Sequence, residues 1–121
     1  MIVLIIDDDA EDALLLQEVI CSLFPGAQCF ISYGFAEAKT IITESVPDYI
    51  FLDAMMYPLG GKETLMRLSQ IEILADTKII INSGLLTRQQ IEEFTLLGAD
   101  KVIQKSPDYH SLIATMKAIL S

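Results

Sequence analysis

The sequence predicts an α/β protein whose parallel sheet is covered by helices on both faces. Short aliphatic runs alternate with helical patterns five times along the 121 residues, and strict alternation of this kind is typical of a parallel sheet. Runs such as residues 79–81 are apolar at every position, which fits strands buried on both faces. The length and a hydrophobic content of 52% fit one domain over residues 1–121 with a packed core.

Three strands and two helices are predicted in the first half of the chain. Asp9 can cap the first helix, in which apolar residues recur at helical spacing until Pro25 and Gly26 end it. The elements predicted here are a strand over residues 2–6, a helix after Asp9, a strand over 28–33, a helix over 35–44 and a strand over 48–52. The side chains expected to face the core or its edge include Leu14, Tyr33, Tyr49, Met66 and Tyr109.

Two strands and three helices are predicted in the second half. Thr87 and Gln90 form a capping box for the fourth helix, and Gly98 ends it. Ser106 and Pro107 supply a cap and a first-turn proline for the last helix. The elements predicted here are a loop over residues 53–61, a helix from 62 to about 74, a strand over 78–81, a helix from 87 to 97, a strand over 101–104 and the last helix.

Polar side chains follow four of the predicted strands at the point where each strand ends. Asp7 and Asp8 follow the first strand, Asp53 the third, Ser83 the fourth and Lys105 the fifth. Because the carboxyl ends of parallel strands meet at one edge of the sheet, where ligands of such folds bind, we expect these side chains to lie close together. Each residue alone has an ordinary explanation as a helix-terminal acid, a turn cap or a surface residue, but their joint placement favours a site.

The predicted cluster suits transfer of a phosphoryl group to a carboxylate. Three neighbouring carboxylates repel one another, and a hard divalent cation with oxygen ligands, Mg²⁺ or Mn²⁺, would neutralise them. Asp53 would be the nucleophile that becomes an aspartyl phosphate. The cation and Lys105 would offset charge on the phosphoryl oxygens, and the Ser83 hydroxyl could donate to one of them.

Composition excludes several classes of function. Acidic side chains outnumber Lys and Arg by 17 to 8, the net charge is −9, and the cations are scattered, so we expect no direct nucleic-acid binding. No apolar run approaches the length of a membrane span, so we expect no membrane insertion. Cys21 and Cys29 have no CxxC spacing and are predicted to be reduced, packed thiols of a cytoplasmic protein.

The motifs around these strand ends resemble those of a known family. The matching stretches are residues 4–9, 47–53, 79–84 and 98–105, and in this order they resemble the receiver domains of bacterial two-component response regulators, such as the chemotaxis response regulators. The resemblance covers essentially the whole chain. It implies a flavodoxin-like (βα)5 fold, a doubly wound five-stranded parallel sheet in three αβα layers.

The resemblance also implies a role for each matching residue. Asp53 corresponds to the phosphoacceptor, Ser83 to the switch hydroxyl and Lys105 to the active-site lysine. Asp7 and Asp8, together with Asp53 and the backbone carbonyl of Met55, would hold the metal ion, and Mg²⁺ dependence is implied. The chain would promote only its own phosphorylation and dephosphorylation, and would not be an enzyme with a separate substrate.

A sensor histidine kinase or a histidine phosphotransfer protein is implied as the phosphoryl donor, and an unidentified downstream protein as the target. The family places a partner or dimer surface on the face formed by the fourth helix, the fifth strand and the fifth helix. The residues that the analogy assigns to this surface are Arg88, Phe94, Val102 and Tyr109.

The sequence departs from the family pattern at several positions. Tyr57 stands where proline is common, and Val102 stands where a switching aromatic residue is often found. These departures leave open a pseudo-receiver that binds a partner without being phosphorylated. Met55 argues against a haloacid dehalogenase, which needs an aspartate at that position, and no GxGxxG follows the first strand to indicate a dinucleotide site. Met55 and Leu85, both apolar, flank the expected path of hydrolytic water, which predicts a long-lived phosphoaspartate.

Overall fold

The computed structural model of the chain describes residues 1–56, 59–84, 86–106 and 108–121. Over these residues, five strands alternate with five α-helices. The strands are β1 (Ile2–Ile6), β2 (Gln28–Ser32), β3 (Tyr49–Leu52), β4 (Lys78–Ser83) and β5 (Lys101–Gln104). The helices are α1 (Ala10–Leu23), α2 (Phe35–Glu44), α3 (Gly61–Ser69), α4 (Arg88–Leu96) and α5 (Tyr109–Leu120), with a 3₁₀ turn at Glu72–Leu74.

The five strands form one parallel sheet in the order β2-β1-β3-β4-β5. This arrangement confirms the predicted doubly wound, flavodoxin-like fold. The chain turns to opposite sides of β1 to form β2 and β3, so a crevice opens beyond the carboxyl ends of β1 and β3. Ile6 at the end of β1 is paired with both Ser32 and Leu52. The residues that follow β1 and β3 therefore start from the same level of the sheet.

Both faces of the sheet are buried, as the continuous aliphatic strands predicted. Successive residues of β1 point to opposite faces. Leu4 and Ile6 pack with α2, α3 and α4, whereas Val3 and Ile5 pack with α1 and α5. This gives three layers with a core on each side of the sheet. Among the described helices, none is both long and apolar enough to cross a membrane.

Local signals placed several helix ends correctly. The Asp9 carboxylate accepts hydrogen bonds from the backbone N–H groups of Glu11 and Asp12, at 3.0 and 3.2 Å, and begins α1. Thr87 and Gln90 form the predicted capping box at the start of α4. Gly98, which follows the C-cap residue Leu97 of α4, has φ of 108°, a left-handed conformation that favours glycine.

Two helix boundaries differ from prediction. The third helix ends at Ser69 and not near Leu74, because Ile71 is extended (φ −88°, ψ 108°) and a 3₁₀ turn follows it. The last helix is capped by Asp108, whose carboxylate accepts from the His110 N–H at 3.1 Å, and not by Ser106. The predicted role of Pro107 lies outside the described residues.

Several side chains predicted to face inward are exposed. Leu14 is 54% exposed, Tyr33 47%, Met66 44% and Tyr109 44%. In α1 the buried stripe is carried by Ala13, Leu16, Val19 and Ile20, and Leu14 lies about 100° around the helix from Ala13. The apolar spacing of the sequence therefore predicts a wider buried face of the helix than the sheet covers.

Burial also changes two predictions about reactive or partner-facing side chains. Phe94 is only 3% exposed and packs in the core beneath α4, so it does not belong to the predicted partner surface. Arg88, at the start of the same helix, is exposed. Cys21 is an exposed thiol and not a packed one, and Cys29 is half-buried; both are free.

Candidate functional site

The three acidic residues predicted at the strand ends form one cluster. The Asp53 N–H donates to the carbonyl of Ile6 at 2.9 Å, and the Asp7 N–H donates to the carbonyl of Ser32 at 3.0 Å. These bonds extend the sheet by one residue and fix the backbone from which the acids project. One carboxylate oxygen each from Asp7, Asp8 and Asp53 lies within 4.8 Å of the others. Asp7 and Asp53 are buried, at 4% and 6% exposed, whereas Asp8 is exposed.

Hydrogen bonds orient the two buried carboxylates in the same way. Asp7 Oδ1 accepts from the Asp9 N–H at 2.9 Å. Asp53 Oδ1 accepts from the Met55 N–H at 3.1 Å and from the Ser83 hydroxyl at 3.2 Å. The Oδ2 atom of each residue is left to interact with Lys105, at 2.9 Å for Asp7 and 3.5 Å for Asp53. Each carboxylate is therefore held by a neutral donor on one oxygen and a cation on the other.

Lys105 reaches this cluster from the end of β5. Its backbone N–H donates to the carbonyl of Ser83 at 2.5 Å, which ties the end of β5 to the end of β4. Its ammonium group contacts Asp7, Asp53 and a third carboxylate, that of Asp12 in the first turn of α1, at 2.9 Å. The Lys105 side chain is 21% exposed and those of Asp7 and Asp53 are 6% exposed, so these three charges interact with little screening by water. The Asp12 side chain is 44% exposed, so its attraction to Lys105 is screened more strongly.

The structure thus brings together all five strand-end residues, Asp7, Asp8, Asp53, Ser83 and Lys105. The Met55 N–H also contacts Asp53, while its side chain is 68% exposed. Asp12 also belongs to this group, although the pattern of strand ends does not predict it. Its position one helical turn before the buried Leu16 was a signal that its side chain faces the sheet.

The cluster perturbs the ionisation of its members. Burial is the main reason why the pKa of the Asp7 carboxyl is raised from 3.8 to about 6. Hydrogen bonds from Lys105 and from the Asp9 N–H lower this pKa, and the negative charge of Asp53 raises it. For Lys105, burial alone would lower the pKa. The hydrogen bonds to Asp7 and Asp12, with the charges of Asp53 and Asp7, outweigh burial and raise the Lys105 pKa above its ordinary value.

One ammonium group therefore faces several carboxylates, and the region keeps an excess of negative charge. Carboxylate oxygens from Asp7, Asp8 and Asp53 are the donors that Mg²⁺ and Mn²⁺ prefer. The donor set, its spacing and the pKa of Asp7 fit a divalent cation, which would relieve the repulsion among these side chains.

Comparison with known proteins identifies the family. The family model of the response regulator receiver domain matches residues 3–117, and the chain belongs to this family. Receiver domains are signalling domains of two-component systems, for which phosphorylation and the presence of Mg²⁺ are general, and they are generally not classical enzymes. They pair with histidine kinases and downstream effectors.

Solved structures with the same fold include three receiver proteins. The signal receiver domain of a DNA-binding response regulator from Colwellia psychrerythraea 34H is 29% identical, with a TM-score of 0.87, and the match covers 99% of this chain and 98% of that one. The chemotaxis protein CheY4 of Vibrio cholerae is 18% identical, with a TM-score of 0.86 over 98% and 97% of the two chains. The Mn²⁺-bound form of the response regulator Rcp1 is 18% identical, with a TM-score of 0.83 over 98% and 90%.

Proposed function

We propose that residues 1–121 form a phosphorylation-dependent signalling module in which Asp53 accepts a phosphoryl group in a Mg²⁺- or Mn²⁺-dependent reaction. The donor would be the phosphohistidine of a sensor histidine kinase or a histidine phosphotransfer protein. The observation that carries the proposal is the position of the Asp53 carboxylate. It lies in the acidic cluster, 3.5 Å from the Lys105 ammonium and 3.2 Å from the Ser83 hydroxyl.

The proposed reaction uses the Asp53 carboxylate as a nucleophile. A carboxylate oxygen attacks phosphorus, an O–P bond forms, and the P–N bond to the donor imidazole breaks with its electron pair leaving on nitrogen. Ionised Asp53 needs no general base. Lys105 would carry positive charge toward the phosphoryl oxygens, and the Ser83 O–H would leave Asp53 Oδ1 and donate to one of them.

Asp7, Asp8, Asp53 and the Met55 carbonyl would hold the divalent cation. When bound, the cation would supply positive charge that offsets the charge of the phosphoryl oxygens. The acidic cluster supports this assignment, as does the similarity to a receiver protein described as Mn²⁺-bound. The same residues, reused in the reverse direction with water as acceptor, would hydrolyse the phosphoaspartate, so the chain would act only on itself.

The proposed output is a change in affinity for a downstream protein. A phosphoryl group carries about −1.5 to −2 charge and strong acceptor oxygens. Because the Asp53 carboxylate loses its own single negative charge when the acyl phosphate forms, the net change at this position is roughly −0.5 to −1, and the movement of Ser83 would transmit this change through β4. The partner or dimer surface would lie on α4, β5 and α5, where Arg88 and Tyr109 are exposed. A cytoplasmic location and the lack of direct nucleic-acid contact remain part of this proposal.

Intact-mass spectrometry tests the proposal directly. The protein is incubated with Mg²⁺ and acetyl phosphate, and we expect a gain of one phosphoryl group that disappears in Asp53→Asn and without the metal ion. Asp76→Asn, at an exposed position away from the cluster, is the matched control and should gain the group normally. If the unmodified protein stays folded but gains no mass under these conditions, this proposal is rejected in favour of the pseudo-receiver, which binds a partner without being phosphorylated.

A further inference from the structure

Asp12 has a position that the proposed reaction does not use. It is the third residue of α1, and its backbone N–H is bound by the helix cap Asp9 at 3.2 Å. An acidic side chain at this position can stabilise the N-terminus of the helix without contacting any other element. The Asp12 carboxylate instead crosses to the end of β5, where its Oδ2 atom lies 2.9 Å from the Lys105 ammonium, 93 residues away in sequence.

The distances show which carboxylates hold Lys105. Its Nζ atom is 2.9 Å from both Asp12 and Asp7, but 3.5 Å from Asp53. Two of its donors are thus directed to Asp12 and Asp7. The proposed phosphoacceptor is the most distant of the three partners. Lys105 is held on the α1 side of the site in this structure.

Lys105 is not closely packed on the side that faces Asp12. A cavity of about 40 Å³ is lined there by Lys105, Asp12, Asn82, Ser106 and apolar side chains of α1 and α5, and Asp53 does not line it. A space of this size is larger than one water molecule needs. Charge, more than close packing, therefore sets the position of the Lys105 head group.

We propose that Asp12 is a positioning residue that holds Lys105 away from Asp53 in the unmodified protein. Lys105 must loosen this contact when it turns to the oxygens of a phosphoryl group on Asp53. Asp12 would therefore oppose formation of the phosphorylated state, and loss of its charge would favour that state. This inference deepens the proposed function and rests on it.

Beryllofluoride, which mimics a phosphoryl group, provides the binding test. At saturating Mg²⁺, Asp12→Asn should bind it about three- to tenfold more tightly, because Lys105 is no longer retained by a second anion. Glu11→Gln is the matched control, because it removes the same charge from the neighbouring residue of the same helical turn. Within the described residues, Lys105 forms ion pairs with Asp7, Asp12 and Asp53 and not with Glu11. Asp12→Glu, which keeps the charge, should remain near the affinity of the unmodified sequence.

A crystal structure of metal-free Asp12→Asn provides a second readout that does not depend on phosphorylation. We expect the Lys105 Nζ atom closer to Asp53 Oδ2 than the 3.5 Å seen here. The inference is overturned if Asp12→Asn matches Glu11→Gln in affinity, binds more weakly, or leaves Lys105 in place. If the unmodified protein binds no beryllofluoride at all, it is the proposed function that fails, and the crystal structure still decides whether Asp12 positions Lys105.

Discussion

At the scale of single residues, the site is defined by carboxylates placed where their charge is unfavourable. Asp7 is buried at 4% exposure, beside Asp53, and its pKa is raised to about 6 mainly by burial. Lys105 only partly compensates, since it is shared with Asp12 and Asp53. Such a group reduces stability in order to keep a site ready for a cation.

Asp7 predicts how stability depends on pH in the absence of divalent metal. Its folded pKa of about 6 exceeds its ordinary value of 3.8, so between these values the folded state binds more protons than the unfolded state. The contribution of the Asp7 carboxyl to the free energy of unfolding is therefore fully present at low pH. It is lost as the pH rises from about 4 to about 6, and the loss amounts to up to about 3 kcal/mol. Urea denaturation should therefore give different free energies of unfolding for the unmodified protein and for Asp7→Asn in this pH window.

The comparison isolates Asp7 because both proteins share every other titrating group. Asp7→Asn should be the more stable of the two at neutral pH in chelator, and the difference should shrink toward pH 4. Parallel stability curves across the whole window would show that the Asp7 carboxyl does not carry the raised pKa.

Met55 bears on the lifetime of a phosphoryl group on Asp53. Its backbone N–H donates to the Asp53 carboxylate at 3.1 Å. Met55 is 68% exposed, and its apolar side chain cannot hold a water molecule by hydrogen bonding. Met55→Asn would provide an amide for that purpose, and we expect dephosphorylation to become several-fold faster. Leu85, the second apolar position of this hypothesis, lies outside the described residues.

The rate is measured by following loss of the phosphorylated species by mass spectrometry after the donor is removed. Met66→Asn, the same change at an exposed position of α3, serves as the control and should leave the rate unchanged. An unaltered rate in Met55→Asn would contradict the prediction of a long-lived phosphoaspartate based on this side chain.

At the level of elements, the start of α3 is tied to the residue that follows Asp53. The Gly61 N–H donates to the carbonyl of Ala54 at 3.1 Å, which joins the first residue of α3 to the end of β3. A Cβ atom on Gly61 would lie only 2.5 Å from the Ala54 Cα and 2.8 Å from its carbonyl oxygen. Glycine at this position therefore permits close approach of two backbones.

Gly61→Ala should force these backbones apart. We expect a loss of about 1–3 kcal/mol in the free energy of unfolding, and weaker binding of Mg²⁺ because Met55 and Asp53 are displaced. Gly60→Ala is the neighbouring control, since its Cβ would meet nothing within 4 Å and its φ of −69° suits alanine. Denaturant titration of both variants checks the prediction, and equal stabilities would refute it.

At the scale of the whole molecule, the site exists because the strand order reverses between β1 and β3. That reversal places Asp7, Asp8 and Asp53 at one crevice, while Lys105 arrives from β5. The protein carries net charge −9, so the cluster forms within a molecule that already attracts cations.

Divalent cations should therefore stabilise the entire fold by binding its native state. Added Mg²⁺ is expected to raise the melting temperature in proportion to the logarithm of its concentration once the site is saturated. In Asp8→Asn this rise should be much smaller, because an exposed member of the cluster has been removed, whereas Asp76→Asn should behave like the unmodified sequence. Equal melting shifts in the Asp8 variant and the unmodified sequence would show that Mg²⁺ binds elsewhere.

The parallel α/β fold, the helix caps at Asp9 and Thr87, and the convergence of Asp7, Asp53 and Lys105 could be predicted from the sequence. The fold and the caps follow from periodicity and local hydrogen bonding, which neighbouring residues encode. The convergence follows from the rule that parallel strands end at one edge of the sheet, so it needs only the position of each residue at the end of its strand.

Contacts between side chains of different elements could not be predicted from the sequence and are seen only in the folded molecule. In the folded molecule Phe94 is buried and Leu14 is exposed. The helix α3 ends at Ser69, and the Asp12 carboxylate forms an ion pair with Lys105. The physical reason is that a helical pattern fixes the direction of a side chain relative to its own helix, but not the width of the stripe that its neighbours cover. Contacts across 93 residues depend on how α1 and β5 are packed against the sheet, which no local pattern specifies.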